Sequence, residues 1–556
     1  MKDDLKEEGW RLVDSNMQDL CAKFDLLHSG ENNVMRLPFL IKGSLRTPAR
    51  VDFDDILRAF DAAEKVAPAG AFISHAQLEK AQVLREPVIN RKTMRPTGAY
   101  QYSVMPIFSP REVLENDFSA LCALYNTPFQ EILELLKSLG ALFAQEKTFL
   151  DSLRDLTIQT AQLPNQWHNL GFDALNILID PHSAKATVDK DLGVWGLAGS
   201  RFLDGWVELP GAAVLPAPVH LIAAQALGAK APAWESRKPS MRAMPTRQLH
   251  ITAGNAPQIP FISALRAILT KSAAVIKSPY GATLPGALLS LGLPAAAPDH
   301  PITRHLSIVY WPGGETAVED AFFAPNSFDR IVVWGAPDAV ESVKKRALFT
   351  KVLTFNPRYG VSMIGREAFA ESLEDLAAAA VADSLVANQK ACIASQIHYI
   401  EADEDQARLY AQALQRTLAA FDRASPNYVD PFFVGEIKRV MRGVLIDGDW
   451  FVNSEEGRFC SGVVLVDREI PLSAVTMQRM IIVRRLDRLE SALPYLHPGV
   501  STVSMAPLSV KERLQDEIAA RGVSNIVDLG HSGTMFPGMS HDGMMALSEL
   551  VDWKNG

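Results

Sequence analysis

The stretch RQLHITAGNAPQIPFISALRAILTKSAAVIKSPYGA, residues 247–282, decides the fold. RQLHITAG and AAVIKSP are short apolar runs of strand length, and IPFISALRAILTK between them has the length and periodicity of a helix. The rhythm persists to residue 355. A helix opening at Pro285 (PGALLSLG) is followed by the strand LSIVYW, the helix ETAVEDAFF, the strand DRIVVWGA, the helix DAVESVKKRA and the strand KVLTF. Strands alternating with short helices imply βαβ crossovers, hence an α/β protein with a doubly wound, mostly parallel sheet. Ligands on such sheets bind beyond the carboxyl ends of the strands, so the loops that follow each strand carry the chemistry.

Working outward, REAFAESLEDLAAAAVADSLVANQ (366–389) reads as one long helix leading into Cys392 and the strand SQIHYIEA. GVVLVD, RMIIVRRLD and SNIVDLG read as further strands, with the helix KERLQDEIAARG before the last. This is a second α/β domain whose chain finally returns towards the first. The expected division is an N-terminal, mainly helical region over 1–150, with one short strand in RLPFLIKGS. A cofactor-binding domain follows over 151–350, completed by about 505–540, and a catalytic domain over 351–504.

Composition narrows the class. Hydrophobic residues at 48% and charged residues at 21% are ordinary globular values, and a formal charge of −9 argues against a nucleic-acid binder. The basic cluster Arg237, Lys238, Arg242 and Arg247 reads as a solvated linker. Four cysteines without any C-x-x-C spacing argue against a disulfide framework and a structural zinc site, so no metal is expected. The charged start MKDDLKEEGW lacks the apolar core of a secretory signal, and no run approaches the roughly 18 apolar residues of a membrane span. A reduced, soluble, cytoplasmic protein is expected.

Three loops follow strands of the first domain. AGNAPQIP offers Gly254, which lets backbone approach a ligand, and Asn255, whose side-chain NH₂ is a donor. VIKSPYGA places Lys277, Ser278 and Tyr280 at a strand end, suited to a sugar hydroxyl or a phosphate. VVWGAPDAV ends a strand at Gly335 and opens a helix after Ala336, a ready anion site. Taken singly, each has an ordinary alternative: an Asn in a turn, a snorkelling surface lysine, a helix cap. No G-x-G-x-x-G occurs. LGHSGTMFPG is one residue short of the G-x-S-x-G elbow and no helix follows it, so a serine hydrolase is rejected.

The order Gly-Asn-x-Pro, Ile-Lys-Ser-Pro, a Gly-ended strand before a helix, then a single cysteine resembles the aldehyde dehydrogenase superfamily. Within it the chain is most similar to the long-chain fatty acyl-CoA reductases of the LuxC type. The words that carry this are FLDGWVE (202–208), LHITAGNAPQIP (249–260), AAVIKSPYG (273–281), RIVVWGAPDAVESV (330–343), NQKACIASQ (388–396) and SHDGMMALSELVDW (540–553). They cover residues 200–556. The resemblance implies that Cys392 is the acyl-accepting nucleophile and Asn255 the donor to the oxyanion. It implies an NADPH site in which Lys277 meets the adenosine ribose or 2′-phosphate and Gly335 passes the phosphates, with Gly254, Ser278, Tyr280 and Ala336 beside them. It also implies a long-chain acyl-CoA or acyl carrier protein thioester as substrate, an aldehyde-consuming enzyme as a candidate partner, and a homo-oligomer.

The departures are informative. Hydrolytic relatives keep a Glu-Leu-Gly-Gly motif whose Glu activates water. Here KVLTFNPRYGVSMIG sets Phe355 and Asn356 at that place. The usual Glu-Ile-Phe-Gly-Pro segment is replaced by SAVTMQRMIIVRRLD. Without a base for water, an acyl-cysteine survives to meet thiol or hydride, which favours a thioester reductase. Two alternatives stay open: an NAD(P)-dependent aldehyde dehydrogenase forming acids, and a non-redox acyl-transfer protein. In MSHDG, His541 is weighed as a proton donor and read instead as part of a structural turn.

Overall fold

The computed structural model describes residues 16–556 apart from 69–70, 117, 212–217, 229–237, 255, 371, 429–447, 456–457 and 470–478. Two seven-stranded sheets organise them. The first comprises β1 (Phe39–Ile41), β2 (Ser44–Arg46), β3 (Arg247–Ile251), β4 (Ala273–Lys277), β5 (Leu306–Val309), β6 (Arg330–Trp334) and β7 (Lys351–Phe355). Their order is β7-β6-β3-β4-β5-β1-β2. β3 to β7 run parallel, with His250 opposite both Ile276 and Val332, and the β1–β2 hairpin is added antiparallel at one edge. Strand order reverses beside β3, so the carboxyl ends of β3, β4 and β6 open one crevice.

The central strands are covered on both faces, which is why they read as continuous apolar runs. Leu249, Val275, Ile276, Ile331 and Val333 are all buried. Helix Thr283–Ala296 is apolar all round because it is enclosed. Gly286 abuts Ser278 and Ile308 of the sheet, and Gly292 abuts Leu139 and Phe143 of helix Phe129–Gln145.

The second sheet comprises β8 (Tyr359–Ile364), β9 (Ser395–Glu401), β10 (Asp449–Glu455), β11 (Arg458–Val466), β12 (Met480–Leu486), β13 (Val500–Ala506) and β14 (Asn525–Asp528), in the order β10-β11-β12-β9-β8-β13-β14. All pairs are parallel except β10 with β11.

Three expectations change. The described part of region 1–150 carries more strand than the one short strand expected alongside its helices. Besides β1 and β2 it carries a four-stranded sheet of Val34–Arg36, Arg95–Met105, Gln82–Asn90 and His75–Gln77, in that spatial order. Pro87 and two charges obscure the second long strand in the sequence, and the register shifts between Pro87 and Ile89, as a proline within a ladder requires. The segment 505–540 joins the second sheet rather than completing the first: β14 pairs with β13, and Val510, Leu514 and Ile518 of helix Leu508–Ala520 are buried in that sheet's core. Residues 546–555 are the part that returns. Leu550 O accepts from Thr246 Oγ1 at 2.6 Å, Glu549 O accepts from Arg330 Nε at 3.0 Å, and Asp552–Asn555 pairs antiparallel with Ser240–Met244. The stretch 366–389 is broken into a 3₁₀ turn, a helix Leu373–Ser384 started by Ser372, and a second single turn.

Candidate active site

Cys392 sits in the loop between helix Leu373–Ser384 and β9. To reach it the chain passes through Ala387, Asn388 and Gln389 with φ of 47°, 56° and 66°. Such left-handed non-glycine residues cost about 1–3 kcal/mol each and persist only where the surroundings over-determine them. Here they do. Asn388 Oδ1 accepts from Arg479 Nε at 2.6 Å and its Nδ2 donates to Asn427 at 2.8 Å. Gln389 donates to Met480 O at 2.7 Å and accepts from Met480 N at 3.0 Å. Arg479 is itself buried, donates to Asp422 at 2.6 Å and lies over the Phe421 ring. From the other side, Gly360 of β8 donates to Ala394 O at 2.8 Å, and a Cβ there would stand 2.4 Å from Ile393 O. Only glycine lets β8 approach the cysteine loop so closely.

The thiol is half-buried. Burial first, then the negative charge of Asp542, pushes it up to about 11, while Arg358 pulls it down. Asp542 and Arg358 form an ion pair at 3.6 Å. Asp542 lies in a tight turn closed by reciprocal 2.9 Å bonds between His541 and Met544, with Asp542 and Gly543 at φ of 52° and 79°. Two successive left-handed residues define a type I′ turn, for which Asp-Gly is a favoured pair.

The same turn reaches the first sheet. Trp334 and Phe355, the last residues of β6 and β7, are stacked at 4.1 Å, and the His541 ring packs on both at 5.0 and 4.4 Å. The Arg266 guanidinium lies 5.2 Å from the Trp334 ring and 4.9 Å from that of Phe355, and donates to His541 Nδ1 at 2.7 Å. Burial, Arg266 and Arg358 push His541 down to about 3. It is neutral, accepts a bond from a cation, and belongs to the turn rather than serving as a proton donor.

On the cofactor side, Gly254 allows contact between two loops, since a Cβ there would stand 2.2 Å from Tyr280 O. Asn255 lies outside the described residues. Lys277 ends β4 with Nζ 5.5 Å from the Tyr310 ring and 5.2 Å from that of Trp311. Burial pushes it down to about 8, partly offset by Glu319. Ser278 is buried and Tyr280 is exposed, its phenol raised by partial burial and by Glu86. Gly335 and Ala336 follow β6 and lead into helix Pro337–Arg346, whose N-cap residue Ala336 offers no side-chain cap. The structure therefore groups Gly254, Lys277, Ser278 and Tyr280 at the ends of β3 and β4, with Gly335 and Ala336 across the strand-order reversal. A cationic strand end, close-approaching glycine loops and an uncapped helix start fit a dinucleotide. Sequence reasoning missed Arg358, Asp542 and Arg266, although Asp542 lay within a quoted word. It also missed Glu86, buried beside the Gly281 amide and pushed up to about 7 mainly by burial. Among the described residues no cluster of metal-ligating side chains occurs, and no helix is long and apolar enough to cross a membrane.

These two sheets, joined through the 541–544 turn, have the aldehyde dehydrogenase fold. The chain matches aldehyde dehydrogenase AldC of Pseudomonas syringae, solved with NAD+ and octanal, with a TM-score of 0.64 at 10% identity over 95% of this chain and 98% of that one. It matches aldehyde dehydrogenase 21 of Physcomitrella patens, solved with succinate, with a TM-score of 0.64 at 11% identity over 85% and 94%. Within that fold the chain belongs to the acyl-CoA reductase (LuxC) family, which matches residues 231–553. Relatives include the long-chain acyl-protein thioester reductases of Photorhabdus laumondii (28% identical over 324 residues, 55% of this chain and 63% of that protein) and of Vibrio harveyi (26% over 329 residues, 56% and 64%). The match spans less than two thirds of either relative.

Proposed function

We propose that this chain reduces a long-chain acyl thioester to the aldehyde, with NADPH, through an acyl group carried on Cys392. The ring stack at the ends of β6 and β7 carries the reading. Where the resemblance sets a water-activating carboxylate, Phe355 is buried against Trp334 and the next residue, Asn356, is exposed. With an aromatic ring where that carboxylate would stand, no base is provided there to activate water, and an acyl-cysteine would persist for reduction.

In the first half-reaction Cys392 Sγ adds to the thioester carbonyl, the carrier sulfur leaves, and the acyl group remains on Sγ. Asn255 is the proposed donor to the oxyanion, a contact of a kind worth about 3–4 kcal/mol. NADPH, when bound, supplies the hydride that reduces the acyl-cysteine. The resulting thiohemiacetal collapses, the C–Sγ bond breaks, and the aldehyde leaves. Lys277 would hold the 2′-phosphate or ribose, with Ser278 and Tyr280 on one side of the crevice and Gly335 and Ala336 on the other. The relatives' names favour an acyl-protein carrier, and acyl-CoA is the second candidate. A cytoplasmic homo-oligomer that hands its product to an aldehyde-consuming enzyme completes the proposal.

The test presents acyl-CoA and acyl carrier protein thioesters of graded length, following NADPH absorbance and aldehyde release. Stoichiometric aldehyde supports the reading. Thiol-dependent acyl exchange without NADPH consumption would replace it with the acyl-transfer reading.

A further inference from the structure

β7 ends at Phe355 and β8 begins at Tyr359, so the chain crosses from the first sheet to the second in three residues, Asn356, Pro357 and Arg358. It comes back through residues 529–545. Adjacent residues of the 541–544 turn fasten the two crossings to each other. The His541 ring packs on Phe355, which precedes the connection, with ring centres 4.4 Å apart. The Asp542 carboxylate pairs with Arg358, which closes it, at 3.6 Å. One grip thus stands on each side of Asn356 and Pro357. The returning chain is also anchored to a helix beside each sheet. Arg266, on helix Ile259–Leu269 beside the first, donates to His541 Nδ1 at 2.7 Å. Buried Asp383, on helix Leu373–Ser384 beside the second, accepts from the amides of Gly530 and Ser532 at 2.7 and 2.8 Å.

A three-residue connection with free flanks is a hinge, because a few φ/ψ changes rotate the units it joins. Here both flanks are held. The Asp542 and Arg358 side chains are only 6% and 18% exposed, so their attraction is little screened. We propose that the 541–544 turn splints this connection, and that His541 and Asp542 are positioning residues that fix the angle between the two sheets. This rests on the acyl-cysteine reading above. β8 carries Gly360, whose amide binds the cysteine loop, whereas Gly254, Lys277 and Gly335 belong to the strand ends of the first sheet. The angle therefore sets the distance between Cys392 and the cofactor crevice. A property of one sheet alone does not feel it. A reaction that needs both sheets does.

The readouts divide accordingly. NADPH affinity belongs to the first sheet, and alkylation of Cys392 by iodoacetamide to the second. Acylation of Cys392 by a labelled acyl-CoA, and single-turnover NADPH oxidation by the acylated protein, need both. In His541→Ala the first two should stay within about threefold. The last two should fall about tenfold or more, since a misplacement of roughly 1 Å costs up to about a hundredfold. Hydrogen exchange of the peptide 355–360, followed without cofactor, should quicken roughly tenfold as the connection is released. His541→Phe restores a ring and should recover most of each loss. Asp542→Asn frees the other flank without a change of size and should quicken the same peptide, so it decides the matter if His541→Ala does not fold. Unchanged exchange in that peptide overturns the proposal. So does a fall in all four readouts together, which would make the turn merely structural. Absence of label on Cys392 in the unaltered protein would instead defeat the acyl-cysteine reading, and the exchange result would still decide for or against the splint.

Discussion

Lys277 and Cys392 belong to different sheets, and one force acts on both with opposite consequences. Lys277 closes β4 against the Tyr310 and Trp311 rings, and burial lowers its ammonium to about 8. Cys392 precedes β9, and burial raises its thiol to about 11. Desolvation disfavours the charged form of each. The neighbours differ: Glu319 draws Lys277 back towards its charge, whereas Asp542 drives Cys392 further from its own. On the proposed reading, the loop after β4 would hold a cation for an incoming anion, and the cysteine loop would keep its thiol protonated until a substrate is present. Recognition is prepared in advance, and reactivity is not.

The largest effect separates the two regions outright. Cys392→Ala should abolish acyl labelling and reduce turnover by roughly 10⁴-fold or more, in the range seen for loss of a covalent nucleophile. Cofactor titration of the same variant should be unchanged. Label found on Cys21, Cys122 or Cys460 would break the comparison at its root.

Next is the scaffold that holds the cysteine loop. Asn388→Ala removes the acceptor facing the buried Arg479 and leaves a non-glycine residue at φ 56°. A lost bond to a buried charge and a poorer left-handed fit together should cost about 3 kcal/mol in urea unfolding. Asn388→Asp keeps the acceptor and should cost less. Equal losses would show that the backbone alone holds this turn.

The cofactor side is expected to respond more mildly. Lys277→Met should weaken NADPH about ten- to a hundredfold and NADH much less, since a charge-assisted bond to the 2′-phosphate is lost only in the first case. Equal weakening would place Lys277 on the ribose common to both. In the unaltered protein the ammonium is charged below about 8 and neutral above it, so NADPH affinity should fall as pH rises through that value. Stability moves the other way. Between about 8 and the ordinary lysine value the unfolded chain binds more protons, so this group's contribution to stability rises with pH.

The first sheet was legible because β3 to β7 are short apolar runs, the first four each followed by a helix, and burial on both faces left few polar residues to confuse the pattern. The second was less so. β13 reads VSTVSMA, and its hydroxyls look exposed in sequence, yet Ser504 bonds Ser362, which bonds Ser395, inside the sheet at 3.0 and 2.8 Å. A buried hydroxyl with a partner carries no apolar signal. At the site, Cys392, Lys277 and Gly335 could be read because they follow or precede recognisable elements. Asp542 and Arg358 could not be paired, since 184 positions separate them and only the returning chain brings them together. Asn388 and Gln389 were visible as flanks, but their role in holding a left-handed backbone needed the partners on β12.

The smallest expected effect concerns the missing base. Phe355→Glu would restore a carboxylate where hydrolytic relatives have one, and sequence alone suggests faster hydrolysis of the acyl-cysteine. The structure argues for a weaker outcome. The Phe355 ring faces the Arg266 guanidinium at 4.9 Å and stacks on Trp334. A carboxylate there would pair with Arg266, stay ionised at low pH and make a poor base, and loss of the stack would cost about 3–5 kcal/mol of stability. Acid release from acyl-Cys392, measured without NADPH, should therefore rise only a few-fold. In the unaltered protein, acid should form poorly from aldehyde and NADP in the absence of a thiol acceptor. If it forms efficiently, a water-activating base is already present, and with His541 neutral and held by Arg266 the group to suspect is Asp542. The dehydrogenase reading would then displace the reductase one, and Asp542→Asn should abolish acid release from acyl-Cys392 formed with aldehyde and NADP.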